Sequence, residues 1–396
     1  MKITSVDIID VANDFRSATN KWRPIVVRIN TDEGISGFGE VGLAFGVGAS
    51  AGFGMAKDLA QRIIGMDPMK NEAIWDILQK RTFWGQGGGT VFSAGMSGID
   101  IALWDIKGKA LQVPVYQLLG GKTRDKIRTY ASQIQSGWGK GREVEMLAAP
   151  EEYARVAKMA VAEGFDAVKV DPIVFDAQGV FNPFPFQGPV SHRFLKLGYQ
   201  RLQAIREAVG NDVDIIVEMH AFSDTTAAIQ FGQMIEELGI YYYEEPVMPL
   251  HPGQMKKIAD KVKIPIAAGE RIYTRWGYRP FFEDGSIDVI QPDICNCGGL
   301  TEAKKICDMA HVYDATVQMH ICGGPIATAA ALQLEAVIPN FLIHELHRYA
   351  LLDANIQTCT YNYMPENGFY EVPDLPGIGQ ELTEETIAAS ECCTVK

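Results

Sequence analysis

Three glutamates close three successive apolar runs. Glu218 ends IIVE, Glu244 follows three tyrosines, and Glu270 ends IPIAAGE, 26 residues apart each time. The beat continues through Asp293 at the end of IDVIQPD, His320 at the end of ATVQMH and Glu345 within FLIHEL, at intervals of 23, 27 and 25. Buried carboxylates brought together repel one another and take up protons. A divalent cation relieves that repulsion. Three monodentate oxygens, with positions left for water or substrate, suit the hard ion Mg²⁺. The alternative, that each acid merely caps the helix after it, fits poorly with glutamate, because capping prefers Asp, Ser and Thr.

Such residues need elements that bring them together. Phe231, Met234, Ile235 and Leu238 repeat at helical spacing, with Gly239 placed as a stop. Met255, Ile258, Ala259 and Val262 do the same. An apolar strand, a loop, an amphipathic helix and another strand make a βαβ unit. Units of roughly 25 residues in unbroken series predict a β/α barrel rather than an open parallel sheet. The strand C-termini of a barrel meet on one face, so the six side chains would share one mouth.

Elsewhere the pattern differs. Residues 1–42 alternate as antiparallel strands, with a polar loop from Asp14 to Trp22. The glycine-rich stretch 42–54 reads as a loop, either a mobile lid or a packed connector. Residues 56–81 read as helical up to Trp84, and Val91–Gln112 as one long helix. The barrel begins near Lys126. Residues 172–198, with FNPFPFQGP, are the least regular and are expected to wall the site. After Glu345 the periodicity fades into short strands and loops that return to the N-terminal region.

The chain of 396 residues is 47% hydrophobic, enough for a large core in two or three domains. Its net charge of −13 argues against nucleic acid and anionic membranes as partners. Seven cysteines show no zinc spacing and point to the cytoplasm; Cys295 and Cys297, just after Asp293, either line the pocket or, the better reading, pack as small buried residues. MKITSVDIID carries acids inside its apolar run and is no signal peptide, and no apolar run is long enough to span a membrane.

Residues 97–120, SGIDIALWDIKGKALQVPVYQLLG, resemble the N-terminal signature of the mandelate racemase and muconate lactonizing branch of the enolase superfamily through Ser97, Gly98, Asp100, Ala102, Leu103, Asp105, Gly108, Lys109, Pro114, Leu118 and Gly120. The beat of strand-end acids fits the same branch. The segments 291–299 and 269–276 resemble its galactonate- and mannonate-type dehydratases. The resemblance implies an α/β fold, a modified TIM barrel (β/α)₇β with an α+β capping domain built from both termini. The divisions are then 1–124 for the cap, 125–350 for the barrel and 351–396 for a tail returning to the cap. It implies Glu218, Glu244 and Glu270 as Mg²⁺ ligands and Asp293 with His320 as a dyad whose imidazole is the base. It also implies Glu345 hydrogen-bonding the substrate carboxylate, His220 as general acid, and a homo-oligomer. This sequence departs from the pattern at Glu218, where Asp is commoner, and at Asp171, where racemases carry a second lysine.

These residues permit α-proton abstraction beside a carboxylate. Lys169 adds a positive charge across the substrate, and Glu345, if protonated, donates a hydrogen bond. Asp293 raises the basicity of His320. His220, two residues past Glu218, is expected on the same inward strand face. Asp171 either contacts the substrate or caps the next segment. The predicted activity is dehydration of an aldonate or aldarate to a 2-keto-3-deoxy acid. Its rivals are an epimerase, racemase or cycloisomerase of the same branch, and a binding protein without turnover.

Overall fold

The computed structural model describes residues 1–13, 22–141, 144–181 and 186–396. Its N-terminal layer is an antiparallel sheet of β1 (Ile3–Asp10), β2 (Ile25–Thr31) and β3 (Ser36–Val41). Next come helices Ala49–Ala60, Asn71–Arg81 and Thr90–Leu111, which carry the apolar residues packed on that sheet. The barrel strands are β4 (Lys126–Ala131), β5 (Ala167–Val170), β6 (Asp214–Glu218), β7 (Ile240–Glu244), β8 (Ile266–Ala268), β9 (Val289–Ile290), β10 (Thr316–Val317) and β11 (His344–Leu346). They form a parallel sheet ordered β10-β9-β8-β7-β6-β5-β4-β11. Val317 and Phe341, just ahead of β11, are bridged, and Leu342 N–H donates to the Val317 carbonyl at 2.8 Å, which closes the ring. Among the described residues, seven α-helices separate these eight strands, from Pro150–Ala162 to Pro325–Glu335. This is the (β/α)₇β barrel with an α+β cap.

The strands are short and buried on both faces, as a parallel sheet covered by helices requires. Helix boundaries follow local chemistry. Asp224 accepts a hydrogen bond from Ala227 N–H at the start of Thr225–Ile235, and Gly239 adopts φ 65° where the chain turns into β7.

The motif in Thr90–Leu111 fastens cap to barrel. The Ser97 hydroxyl accepts from Gly298 N–H at 2.9 Å, and Asp100 accepts from Thr301 N–H at 2.8 Å and its hydroxyl at 2.6 Å. Asp105 accepts from Phe38 and Ile378 N–H, and Lys109 Nζ stands 2.8 Å away. Glu40, at the end of β3, accepts from Gly324 and Ala327 N–H and so caps barrel helix Pro325–Glu335 from across the interface.

Three expectations need correction. Stretch 42–54 is a loop only as far as Gly48, because helix Ala49–Ala60 starts there. Gly52 serves close packing in it, since a Cβ would sit 3.0 Å from Val41 Cγ1. The helical run 56–81 is broken at 61–70, where Gly65 has φ 77° and Pro68 follows. The irregular wall ends at Ser191, because helix His192–Val209 takes its last seven residues; the part at 182–185 lies outside the described residues, as does 14–21 of the first loop. The tail returns to the cap as expected, by way of the barrel. β12 (Phe369–Glu371) first pairs antiparallel with the start of β4, and only β13 (Glu391–Val395) joins β1.

Gly39 presses directly on the helix Thr90–Leu111. A Cβ there would overlap the Gly98 carbonyl and lie 2.7 Å from Ala102 N. Both neighbours are backbone and cannot turn aside. Gly39→Ala is expected to lower the urea unfolding free energy by about 3 kcal/mol.

Candidate active site

A layer of Tyr130, Ala167, Ile216, Tyr242, Ala267, Val289 and Ile343 plugs the barrel interior. Side chains alternate along a strand, so residues two positions further on face the same way. That places Ser132, Lys169, Glu218, Glu244 and Glu345 in the next layer, at the floor of the mouth. Lys169, Glu218, Glu244 and Glu345 are each about 1% exposed.

Lys169 is the hub of this layer. Its Nζ lies 2.9 Å from Glu218, 2.6 Å from Glu244 and 2.9 Å from Glu345. Its ammonium stands among three strand-end acids. Glu345 also accepts from the Ser132 hydroxyl at 2.6 Å and from Ile321 N–H at 3.0 Å. Burial pushes the Glu345 carboxyl up, but Lys169 and His320 outweigh it and hold it down to about 2. Glu345 thus faces three donors, Lys169, Ser132 and Ile321 N–H, which favour its ionised form.

Glu218 and Glu244 are cross-strand neighbours in β6 and β7. Burial and the adjacent Glu218 charge push Glu244 well above the usual carboxylate range. Burial also raises Glu218, but His220 and Lys169 prevail and hold it well below. Glu244 Oε2 is buried with no hydrogen-bond partner.

Glu270 does not sit in this layer. The matching position on β8 is Gly269, where a Cβ would meet Gln291 backbone and the Tyr278 hydroxyl at 2.5–2.6 Å. Glu270 comes off the following turn and faces His320 Nε2 at 3.1 Å and the Arg271 guanidinium. Arg271 also pairs with buried Glu245. The even spacing of 26 preserved the count of units but not the side-chain parity. Among the described residues, no three His, Cys, Asp or Glu side chains already stand together as a ligand set.

Asp293 and His320 are brought together at the ends of β9 and β10, with Oδ2 to Nδ1 at 2.7 Å. Burial lowers the imidazole pKa, but Glu270, Asp293 and Glu345 raise it to about 10. His220 reaches the mouth by a different route from the one expected. β6 ends at Glu218, and His220 and Ala221 turn with φ 45° and 57°, so strand alternation does not place the ring. Its N–H donates to Glu218 Oε1 at 3.0 Å, and its Nδ1 lies 2.8 Å from Asp171 Oδ2. Asp171 Oδ1 accepts from Ile173 and Val174 N–H. Asp171 thus caps the turn after β5, one of its two expected roles, and its other oxygen faces His220.

Residues that spacing did not single out complete the mouth. Gln133 and Gln135 on the turn after β4 reach His220 and Asp171. Trp22, Phe45 and His347 each set a ring against Tyr349, with Trp22 and Tyr349 ring centroids 5.0 Å apart, so the cap loop before Ala49 closes one side. Nothing in their spacing linked them. Cys295 and Cys297 are buried, and burial pushes both thiols well up.

A barrel whose mouth carries strand-end glutamates and an Asp–His pair under a clamped cap defines a class of enzyme. The model for the mandelate racemase / muconate lactonizing enzyme N-terminal domain matches residues 10–120, and the enolase C-terminal domain-like model matches residues 152–386. The chain belongs to the mandelate racemase / muconate lactonizing enzyme family of the enolase superfamily. Members of that family generally use Mg²⁺. The chain is 32% identical over 376 residues to a D-galactonate dehydratase of Pectobacterium atrosepticum, covering 93% of this chain and 90% of that one. It is 31% identical over 395 residues to a D-xylonate dehydratase of Haloferax volcanii, covering 98% and 89%. A solved enolase superfamily member from Salmonella Typhimurium superposes with TM-score 0.97 at 71% identity, over 100% of both chains. Among the described residues, no helix is long and apolar enough to cross a membrane.

Removing the Lys169 charge would leave three buried carboxylates without their shared ammonium. Lys169→Met is expected to lower unfolding free energy by about 3 kcal/mol, read by urea denaturation at neutral pH without added divalent cations.

Proposed function

We propose that this chain, an enzyme of the hydro-lyase type, is a Mg²⁺-dependent dehydratase of an aldonate or aldarate. The observation that carries the reading is a pair of imidazoles in one mouth, each tied through Nδ1 to an aspartate and each beside a strand-end glutamate: His320 with Asp293 and Glu270, and His220 with Asp171 and Glu218. Elimination of water needs one group to take a proton and another to give one. The names of the curated relatives, D-galactonate and D-xylonate dehydratase, support the same chemistry.

The donor set fits a divalent cation. Its oxygens belong to carboxylates, Glu244 Oε2 has no partner, and Glu244 is pushed toward protonation by the neighbouring charge of Glu218. Glu218, Glu244 and Glu270 would hold the ion, which when bound supplies positive charge where the substrate carboxylate gains electrons. Lys169 adds a second fixed charge, locked by Glu345. Glu345 accepts a hydrogen bond from a substrate hydroxyl. His320 acts as its neutral imidazole, which the Glu270 charge disfavours until a cation offsets that carboxylate; the α C–H bond then breaks and its proton passes to Nε2, while Asp293 keeps the Nδ1 proton in place. The β C–O bond breaks, and hydroxide leaves as water with a proton from His220 Nε2. The enol left behind tautomerises to a 2-keto-3-deoxy acid.

The test is a panel of sugar acids assayed with Mg²⁺ for 2-keto-3-deoxy products, in parallel with deuterium uptake from heavy water. Product formation is expected. Deuterium in recovered substrate with no keto-deoxy product would instead mark an epimerase. His320→Asn is expected to slow both exchange and elimination by about 1,000-fold while circular dichroism stays unchanged. Chelation of divalent cations is expected to stop turnover, and Mg²⁺ to restore it.

A further inference from the structure

His347 carries a side chain that the proposed chemistry leaves unused. β11 ends at Leu346, and His347 continues it with φ −71° and ψ 142°, an extended conformation. Side chains two apart on an extended chain share a face, so His347 follows Glu345 into the mouth. The charges that act on its ring are those of Glu345, Lys169, His320 and His220, all groups of the mouth. The ring lies flat on Tyr349, with centroids 5.1 Å apart and planes 7° from parallel. Tyr349 in turn meets Trp22 and Phe45 of the cap. His347 therefore stands between the charged floor and the cap, where a substrate chain leading away from its carboxylate would pass.

The two nitrogens of the ring have separate duties. Nδ1 accepts the N–H of Tyr349 at 3.2 Å, at the start of the short helix Arg348–Leu351. A ring nitrogen that accepts a hydrogen bond carries no proton, so in the neutral imidazole the proton is on Nε2. Among the described residues Nε2 has no hydrogen-bond partner, and the side chain is partly exposed. Burial lowers the imidazole pKa; Glu345 raises it, and Lys169, His320 and His220 lower it further, to about 3. The ring is thus a neutral donor of one hydrogen bond. Glu345, ionised, accepts from a substrate hydroxyl but cannot donate to one, and the hydroxyl oxygens further along a sugar acid need a donor.

We propose that His347 is a specificity-determining residue, which donates its Nε2–H to a hydroxyl oxygen beyond the β-carbon of the sugar acid. This rests on the dehydratase reading for the class of ligand, though not for turnover. Once substrate and cap exclude water, an acid that lacks this hydroxyl leaves the donor unpaired, and a site of this kind rejects such an analogue. The site then prefers acids whose chain continues past the β-carbon over glycerate, whose chain ends there.

Two substitutions separate the donor from the cap of Arg348–Leu351. Asparagine keeps an acceptor where Nδ1 stands and loses the outer donor. Glutamine places an amide N–H where Nε2 stands and gives up the cap. The test is equilibrium binding of D-galactonate, D-xylonate and D-glycerate, with Mg²⁺, to the full chain carrying His320→Asn so that turnover does not consume the ligand. Adding His347→Asn is expected to weaken binding of the two longer acids by about 30-fold, and adding His347→Gln by less than about threefold, with circular dichroism unchanged in both. Binding of D-glycerate is expected to move by less than about twofold in either variant. Histidine-selective ¹⁵N NMR of the wild type, with His347 assigned by the signal lost in His347→Gln, is expected to show a protonated Nε2 and a bare Nδ1 from about pH 6 to about pH 9. The opposite order of the two variants would overturn the proposal and leave His347 as a helix cap. Equal weakening by both, the same weakening for D-glycerate, no weakening by either, or a proton on Nδ1 would overturn it too, as would a chain that binds neither longer acid. Binding that depends on the His347 donor, in a wild type that yields no 2-keto-3-deoxy product, would uphold the proposal and overturn dehydration.

Discussion

One ammonium among three buried carboxylates sets the terms for this mouth. Lys169 rises from β5, the middle of three neighbouring strands, over the Tyr130 ring at 5.6 Å, and meets Glu218, Glu244 and Glu345. Unpaired charges at that depth would be costly, and a single cation does not neutralise three anions. The surplus is visible in Glu244, pushed toward its neutral form, and in His320, pushed toward its charged form by Glu270 and its neighbours. A floor with this excess of negative charge draws positive charge into the mouth, and the placement of Arg271 between Glu245 and Glu270 follows the same rule.

That floor stays in register because the cap is fastened to the barrel by buried polar contacts. Trp75 Nε1 donates to the Gly298 carbonyl at 2.9 Å, next to the bonds of Ser97 and Asp100, all at the start of helix Gly299–Val312. The loop carrying Asp293 leads into that helix. Glu40 does the same for the helix after His320. Buried at the interface, it is pushed up to about 7 by burial and the nearby charge of Asp293, despite two backbone donors. Each half of the Asp293–His320 pair is thus followed by a helix whose first turn is tied to the cap. The acid and imidazole side chains of the mouth are positioned by hydrogen bonds made two to eight residues later in the chain.

Spacing in the sequence was a good guide wherever a strand is followed by a regular helix. The units from β6 to β11 repeat with little insertion, and Glu218, Glu244 and Glu345 lie on their strands. It was a weaker guide where the backbone leaves the strand. His220 turns into place in a left-handed conformation, Glu270 is displaced by the crowding at Gly269, and Asp171 faces a histidine 49 residues away. Glycine clusters misled in a consistent way. Gly52 reads as a breaker in sequence but serves to let the helix Ala49–Ala60 approach β3, a contact set by tertiary distance alone.

The sequence by itself determined the class of fold, the family and the acids and histidines whose strand units open on the mouth. Apolar periodicity and the motif at 97–120 are local properties, and the fold that satisfies them has one rim on which strand ends can meet. Tertiary structure decided which of those side chains touch. Lys169 among the acids, Glu345 as an ionised acceptor and Asp171 as the partner of His220 depend on strand stagger and turn geometry at the ångström scale. Charge pairing falls steeply with distance in a buried site, so these partnerships are fixed only once the barrel has closed.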